Sequence, residues 1–398
     1  MFNLLKNITI IDLSSVVLGP FASQLLADLG ADVIKVESPE GDIFRSAGPS
    51  KHPKMGAGYL NLNRNKRSLM LNLKVPQGRE VLFELVKSAD VFMHNMRPDA
   101  VKRLGIGYDL LSEINPRLVY CAAVGFGGDG PYANEPAYDD IMQAMSGFAS
   151  LAQGDSAAPR FAPTVLADKI GGLYTVFGIL SGLVQRERTG HGVSIEAPMF
   201  ESLVSFLLAE HLGGHVFQPA LGAMGYSRLT TPYRRPYQTA DGYIAVMPYS
   251  TKHWVNFLTL IGQEELAQVH WVSDAALRSE RIAELYQIIA DKMPQKTSSQ
   301  WLSVLKGLDI PCGPVNTLES LLEDPHLKAV DFFQQVNHPT EGTLLSMKHP
   351  VRFIDAETVP DLPAPNLGEN STKILLKAGF DQAAIEKLLA SGALKLTD

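Results

Sequence analysis

The first half of the chain alternates between short apolar, β-branched runs and longer stretches with apolar side chains three and four positions apart. Residues 8–13 form a run of the first kind. Residues 20–29 follow, with Phe21, Leu25, Leu26 and Leu29 at helical spacing. Gly30 stops that helix, and residues 31–37 are predicted as the next strand. Residues 68–73 alternate weakly. Pro76 then opens a helix over residues 77–88 that places Val81, Leu82, Leu85 and Val86 on one face. Residues 90–93 and 118–124 read as further strands. Strands joined by helical crossovers predict a parallel sheet covered by helices.

Residues 168–188 form a long apolar helical pattern interrupted by Gly171, Gly172, Gly178 and Gly182. Glycine lowers helix propensity, so its use here predicts close approach of another element. A strand at 193–196 and a helix at 198–211 follow. Residues 213–235, rich in Gly, Pro and Arg, read as a linker. Beyond it the pattern changes to short strands at 237–239 and 243–247, then helices near 251–261, 276–293 and 298–307. Residues 355–365 carry three prolines and predict an extended connector before a last helix at 381–390. The fold class is therefore α/β. A large Rossmann-like domain spans 1–212 and is completed by 335–398, within a C-terminal return of 326–398. A smaller α+β domain occupies 236–325. No internal repeat interrupts this plan.

Composition narrows the function. A chain of 398 residues with 45% hydrophobic residues fits two domains with substantial cores. The net charge of −7 and pI of about 5.8 argue against a nucleic-acid partner. Two distant cysteines, Cys121 and Cys312, build neither a disulfide framework nor a zinc site, which fits a reducing compartment. No run of about 18 apolar residues predicts a membrane span, and the start of the chain lacks signal-peptide features. The expected location is cytoplasmic.

Most motif matches are weak. Gly125-Phe-Gly-Gly-Asp-Gly130 fits GxGxxG after a predicted strand, which would suit NAD(P) and an oxidoreductase. However, Pro131 and Pro136 follow, where the dinucleotide motif needs a helix N-terminus. A mobile glycine loop is the simpler reading. No HExxH, GxSxG or other metal spacing occurs, and no metal is expected. His94 and His253 stand alone, and Cys121 sits on an apolar strand as a core residue. Asp168 lies at the start of the glycine-rich helix. There it can serve as an N-cap, or as an ionised carboxylate favoured by the helix dipole and able to attack an activated acyl group.

Several longer strings carry more information. They are Ile11-Asp-Leu-Ser-Ser-Val-Val-Leu-Gly-Pro20, Leu26-Ala-Asp-Leu-Gly-Ala-Asp-Val-Ile-Lys-Val-Glu37, Ala89-Asp-Val-Phe-Met-His-Asn95, Tyr138-Asp-Asp-Ile-Met-Gln143 and Ile310-Pro-Cys-Gly-Pro-Val315. In order and spacing the chain resembles the family III CoA-transferases. The resemblance implies that Asp168 is a covalent nucleophile passing through an aspartyl-CoA thioester. It implies an acyl pocket at Tyr138, Asp139, Gly127 and Gly128. It also implies CoA contacts at Ser15, Val16, Val17, Leu18, Leu71, Lys74, Asn95, Met96 and Arg103. Coenzyme A would be a substrate, with no permanently bound cofactor, and the chain would form an interlocked homodimer. Ser38 replaces an arginine of the formyl-CoA transferase, and that enzyme's small-domain glycine run has no clear equivalent.

The same superfamily includes 2-methylacyl-CoA racemases, whose catalytic His would fall at Tyr138; a tyrosine is a poor base at neutral pH. A non-catalytic CoA-ester binding protein is a third possibility. As acceptor we expect a small dicarboxylate, succinate or a C5 relative, with Lys169, Arg228, Arg234 and Arg235 as candidate cations for its free carboxylate.

Overall fold

The computed structural model describes residues 1–154 and 158–395. Its backbone contacts divide it into two compact units. One comprises Met1–Ala149, Phe161–Phe206 and Asp331–Asp398; the other comprises Ser150–Arg160 and Leu207–Val330.

The first unit is built on six strands: β1 (Thr9–Asp12), β2 (Asp32–Glu37), β3 (Lys66–Met70), β4 (Val91–His94), β5 (Val119–Ala122) and β6 (Val193–Glu196). They pair in the order β3-β2-β1-β4-β5-β6, every pair parallel. β1 and β4 are therefore neighbours whose outgoing connections run in opposite directions. That is the switch point where open α/β sheets bind ligands. Helices cover both faces, which is why the central strands β1, β4 and β5 read as largely apolar runs. Ile11, Ile34 and Phe92 face one cluster; Ile10, Val33, Met93 and Cys121 face the other.

Six helices matter for the site: α1 (Leu18–Asp28), α2 (Pro76–Val86), α3 (Pro98–Leu104), α4 (Asp139–Met145), α5 (Leu166–Thr189) and α6 (Met199–His211). The glycines of α5 work as expected. A Cβ on Gly172 would lie 3.0 Å from the Leu18 carbonyl oxygen, and one on Gly182 would lie 2.8 Å from Ile195. Bare backbone thus lets α5 press against α1 on one side and the sheet on the other. α5 is also long and apolar enough to cross a membrane by length and composition. Here it lines the sheet, with Ile170, Thr175, Ile179 and Leu183 buried.

The second unit holds a three-stranded antiparallel sheet of Tyr237–Gln238, Tyr243–Val246 and Cys312–Pro314. It packs around Trp254, Phe257, Leu285, Tyr286 and Trp301. Several expectations need correction. Residues 213–235 are not a bare linker: they contain Gly213–Val216 and Ser227–Thr230 as helical turns and lie within this unit. The helix expected over 276–293 is two, Ala275–Glu280 starting from its Asp274 cap and Ile282–Lys292, separated at Arg281, whose backbone leaves the helical region. The pattern also missed an antiparallel hairpin, Phe333–His338 with Gly342–Met347, whose strands are polar and only half-buried.

Candidate active site

The chain leaves β1 through Leu13 and the turn Ser14–Val17, then enters α1. Val17 caps α1 without a side-chain hydrogen bond, so the first amides of the helix are left to a ligand or solvent. Asn95, just past β4, ties this turn across the switch point. It accepts from the Ser15 N–H at 3.1 Å and donates Nδ2 to the Ser15 carbonyl at 2.8 Å. Between these loops opens a cavity of about 400 Å³. Ser15, Val16, Val17, Leu18, Asn95, Met96, Tyr138 and Asp168 all line it. A second cavity of about 390 Å³, lined by Leu71 and Lys74, lies beside it and shares Leu13, Ser15, Ile43 and Met96 with the first.

Asp168 is not an N-cap. Val165 holds that place, and Asp168 is the third residue of α5, half-buried, in the first turn where the dipole favours an anion. Its N–H donates to Asp139 Oδ1 at 3.0 Å. Asp139 is buried at the start of α4 and accepts from Gln143 Nε2 at 2.5 Å on its other oxygen. Gln143, fully buried, accepts from the Ala162 N–H at 2.8 Å. One side-chain chain therefore fixes both the segment before α5 and the first turn that carries Asp168. The Asp168 carboxylate makes no hydrogen bond among the described residues. Burial, helped by the charge on Asp139, pushes its pKa up to about 7.

The remaining candidates divide. Tyr138 lines the cavity but is 67% exposed, so it is an exposed wall rather than a packed ring. Gly127 and Gly128 do not line either cavity. The Gly127 N–H donates to Glu201 Oε1 of α6 at 3.0 Å, and the Gly128 N–H to Glu196 Oε1 at 2.6 Å. Two carboxylates occupy the amides that a pyrophosphate would need, and the next helix begins only at Asp139, which removes the basis for NAD(P) binding. Arg103 is exposed in the last turn of α3 and lines neither cavity. Lys169 donates to Thr164 Oγ1 at 2.6 Å. Arg228 donates Nε to Tyr286 at 2.9 Å within the second unit, where Arg234 and Arg235 are exposed. His94, bonded to Tyr120 at 2.7 Å, is driven down to about 4 by burial and stays neutral, a structural histidine. No group of metal-ligating side chains occurs among the described residues.

Sequence reasoning missed Arg97 and Glu135, which line the first cavity, and Ile43 and Asp42, which line the second. It also missed Gln143 as a positioning residue. Arg97-Pro98 opening a helix after a strand was a usable signal. Gln143 closes the string Tyr138–Gln143, but its role could not be read from it, because that role depends on a segment some twenty residues away.

A family model described as CoA-transferase family III matches residues 5–371. The chain is 33% identical to the succinyl-CoA:glutarate CoA-transferase of Mus musculus, covering 98% of this chain and 90% of that protein. It is 31% identical to the formyl-CoA:oxalate CoA-transferase of Streptomyces avermitilis, covering 99% and 100%. Among solved structures, a CaiB/BaiF family protein from Brucella suis superimposes with a TM-score of 0.79 at 30% identity, covering 95% of this chain and 100% of that one.

Proposed function

The chain belongs to CoA-transferase family III, and from that premise we propose that it moves CoA from succinyl-CoA to a small dicarboxylate, through a thioester on Asp168. It is a transferase acting on acyl-CoA and a carboxylate. The observation that carries the proposal is the Asp168 carboxylate, half-buried and without a hydrogen bond among the described residues, in a cavity that adjoins a second one across the sheet's switch point. Together the two cavities suit a long, bent ligand with a reactive end and a nucleotide end.

The ionised carboxylate attacks the donor's thioester carbonyl, forming a mixed anhydride and releasing CoA thiolate. The thiolate attacks the aspartyl carbonyl, giving an aspartyl-CoA thioester and freeing the donor's acid. The acceptor carboxylate then attacks that thioester and expels the thiolate again, leaving acceptor and Asp168 joined as an anhydride. A final attack by the thiolate on the acceptor carbonyl restores Asp168 and releases the new acyl-CoA. Each step exchanges one activated acyl bond for another, so orientation and exclusion of water are what the protein must supply. Asp139 and Gln143 supply orientation by fixing the first turn of α5. Arg97, which lines the first cavity, is a cation available there for a phosphate or a second carboxylate.

The dicarboxylate rests on the relatives' substrates, succinyl-CoA with glutarate and oxalate with formyl-CoA. We also propose a homodimer, supported by the exposed apolar face of α5 formed by Leu173, Phe177 and Val184. The racemase reading finds no support, since Tyr138, where that enzyme's histidine would fall, is 67% exposed and a tyrosine is a poor base at neutral pH.

The test supplies succinyl-CoA with a mixture of mono- and dicarboxylates and follows the new esters by mass spectrometry. Dicarboxylate esters alone are expected. Asp168→Ala should lose transfer by about three orders of magnitude or more while still binding CoA. Hydroxylamine added with donor should tag the Asp168 peptide. A tag elsewhere, or transfer by Asp168→Ala, removes the covalent mechanism; esters of monocarboxylates alone remove only the dicarboxylate.

A further inference from the structure

The turn Ser14–Val16 borders both cavities, and side chains from three neighbouring strand ends hold its backbone. Asp12 at the end of β1 accepts from the Ser14 N–H at 2.8 Å. Lys35 on β2 donates Nζ to the Ser14 carbonyl at 2.8 Å. Asn95 after β4 takes both polar groups of Ser15. Asp42, in the loop after β2, accepts the Val16 N–H on both carboxylate oxygens, at 3.1 and 3.2 Å.

Val16 is the anomaly in this arrangement. Its φ of 71° lies in the left-handed region, which a β-branched residue avoids. Such a conformation persists only where the surroundings over-determine it. Asp42 is itself pinned from several sides. Its carboxylate pairs with fully buried Lys35 at 2.9 Å and accepts from the Phe44 N–H at 2.9 Å. Its own N–H donates to Glu37 Oε2 at 3.1 Å. Glu37 in turn holds Arg45 through two contacts of 2.7 Å. The same lysine therefore grips the turn at Ser14 and the acid that grips it at Val16.

We propose that Asp42 is a positioning residue for the acyl-CoA substrate: paired with Lys35, it locks Val16 in the left-handed conformation and so fixes the wall, Ser15 to Leu18, against which CoA lies. This rests on reading the two cavities as the CoA site. Val16 and Asp42 line different cavities, Val16 the one with Asp168 and Asp42 the other. Asp42 does not line the cavity that holds the reacting carboxylate, so it acts on binding rather than on the chemical step. Released from Asp42, Val16 relaxes toward negative φ and carries its neighbours out of place.

The test is CoA affinity by calorimetry, with KM and kcat for acyl-CoA, in Asp42→Asn. The expected result is a rise of about tenfold or more in Kd and KM, the factor that strain of this kind corresponds to. kcat should stay within about threefold. Adding Val16→Gly to Asp42→Asn should recover a large part of the lost affinity, because glycine adopts positive φ freely. A merely structural Asp42 would lower Tm and affinity with no such recovery. Should Asp42→Asn fail to fold through its unpaired lysine, Lys35→Met with Asp42→Asn removes both charges. The same loss and the same recovery by Val16→Gly are expected there. Unaltered affinity in the variants, a loss confined to kcat, or no recovery with glycine overturns the inference. Wild-type protein that binds no CoA overturns the reading of the cavities as well.

Discussion

At the residue scale, Asp168 is tuned away from the ordinary carboxylate. Burial first, and Asp139 second, oppose its ionisation and move it to about 7. Only the ionised form attacks a thioester, so kcat/KM should rise tenfold per pH unit below about 7 and level off above it. Asp139→Asn removes the like charge and should move that midpoint to lower pH; an unmoved midpoint would mean that Asp139 does not reach Asp168 electrostatically. Stability follows with a definite sign. An unfolded aspartate releases its proton near 3.8, the folded one near 7. Between those values the folded state binds more protons, so the fold loses stability as pH rises. Asp168→Asn should therefore melt above wild type at pH 8, with the difference shrinking as pH falls from 7 toward 4.

At the element scale, the contact between α1 and α5 brings the Ser15–Leu18 turn and Asp168 to one cavity. Gly172 makes that contact possible, since a side chain there would meet the Leu18 carbonyl and the Phe21 ring. Gly172→Val should cost about 1–3 kcal/mol in denaturant unfolding, the usual range for an overpacked core, and should raise KM for acyl-CoA as α1 is pushed aside. Gly307→Ala, where a Cβ meets nothing within 4 Å, is the control and should stay within about 0.5 kcal/mol. The central strands β1, β4 and β5 were readable because burial on both faces favours apolar runs, whereas β3 opens with Lys66, Arg67 and Ser68 and left only a weak alternation. The short helices α3 and α4 were not, because about two turns carry too little periodicity.

At the scale of the whole molecule, α5 buries Ile170, Thr175, Ile179 and Leu183 and exposes Leu173, Phe177 and Val184. Phe177 is 69% exposed, an uncommon position for a large apolar ring in an otherwise apolar helix. If this face meets a second copy, Phe177→Arg should yield a monomer in light scattering at concentrations where the wild-type chain is dimeric. A dimer that survives the charge places the interface elsewhere.

What the sequence determined by itself was whatever short-range pattern encodes: the parallel α/β plan, the long glycine-bearing helix, and Asp168 at its start. The strings shared with family III carried the chemistry, and eight of the expected site residues do line one cavity. Tertiary structure decided the rest. Gly127 and Gly128 were expected in the acyl pocket, yet Glu196 and Glu201, far along the chain, claim their amides. Asp168 was expected to cap its helix or to attack; the backbone placed it two residues past the first turn's opening residue and left the cap to Val165. Nothing near Val16 in sequence announces a left-handed valine, and groups that hold its turn arrive from β2, from the loop beyond it and from Asn95 just past β4. Local pattern records what each segment buries; strain and ionisation depend on which distant groups folding brings beside it, and that is written only in three dimensions.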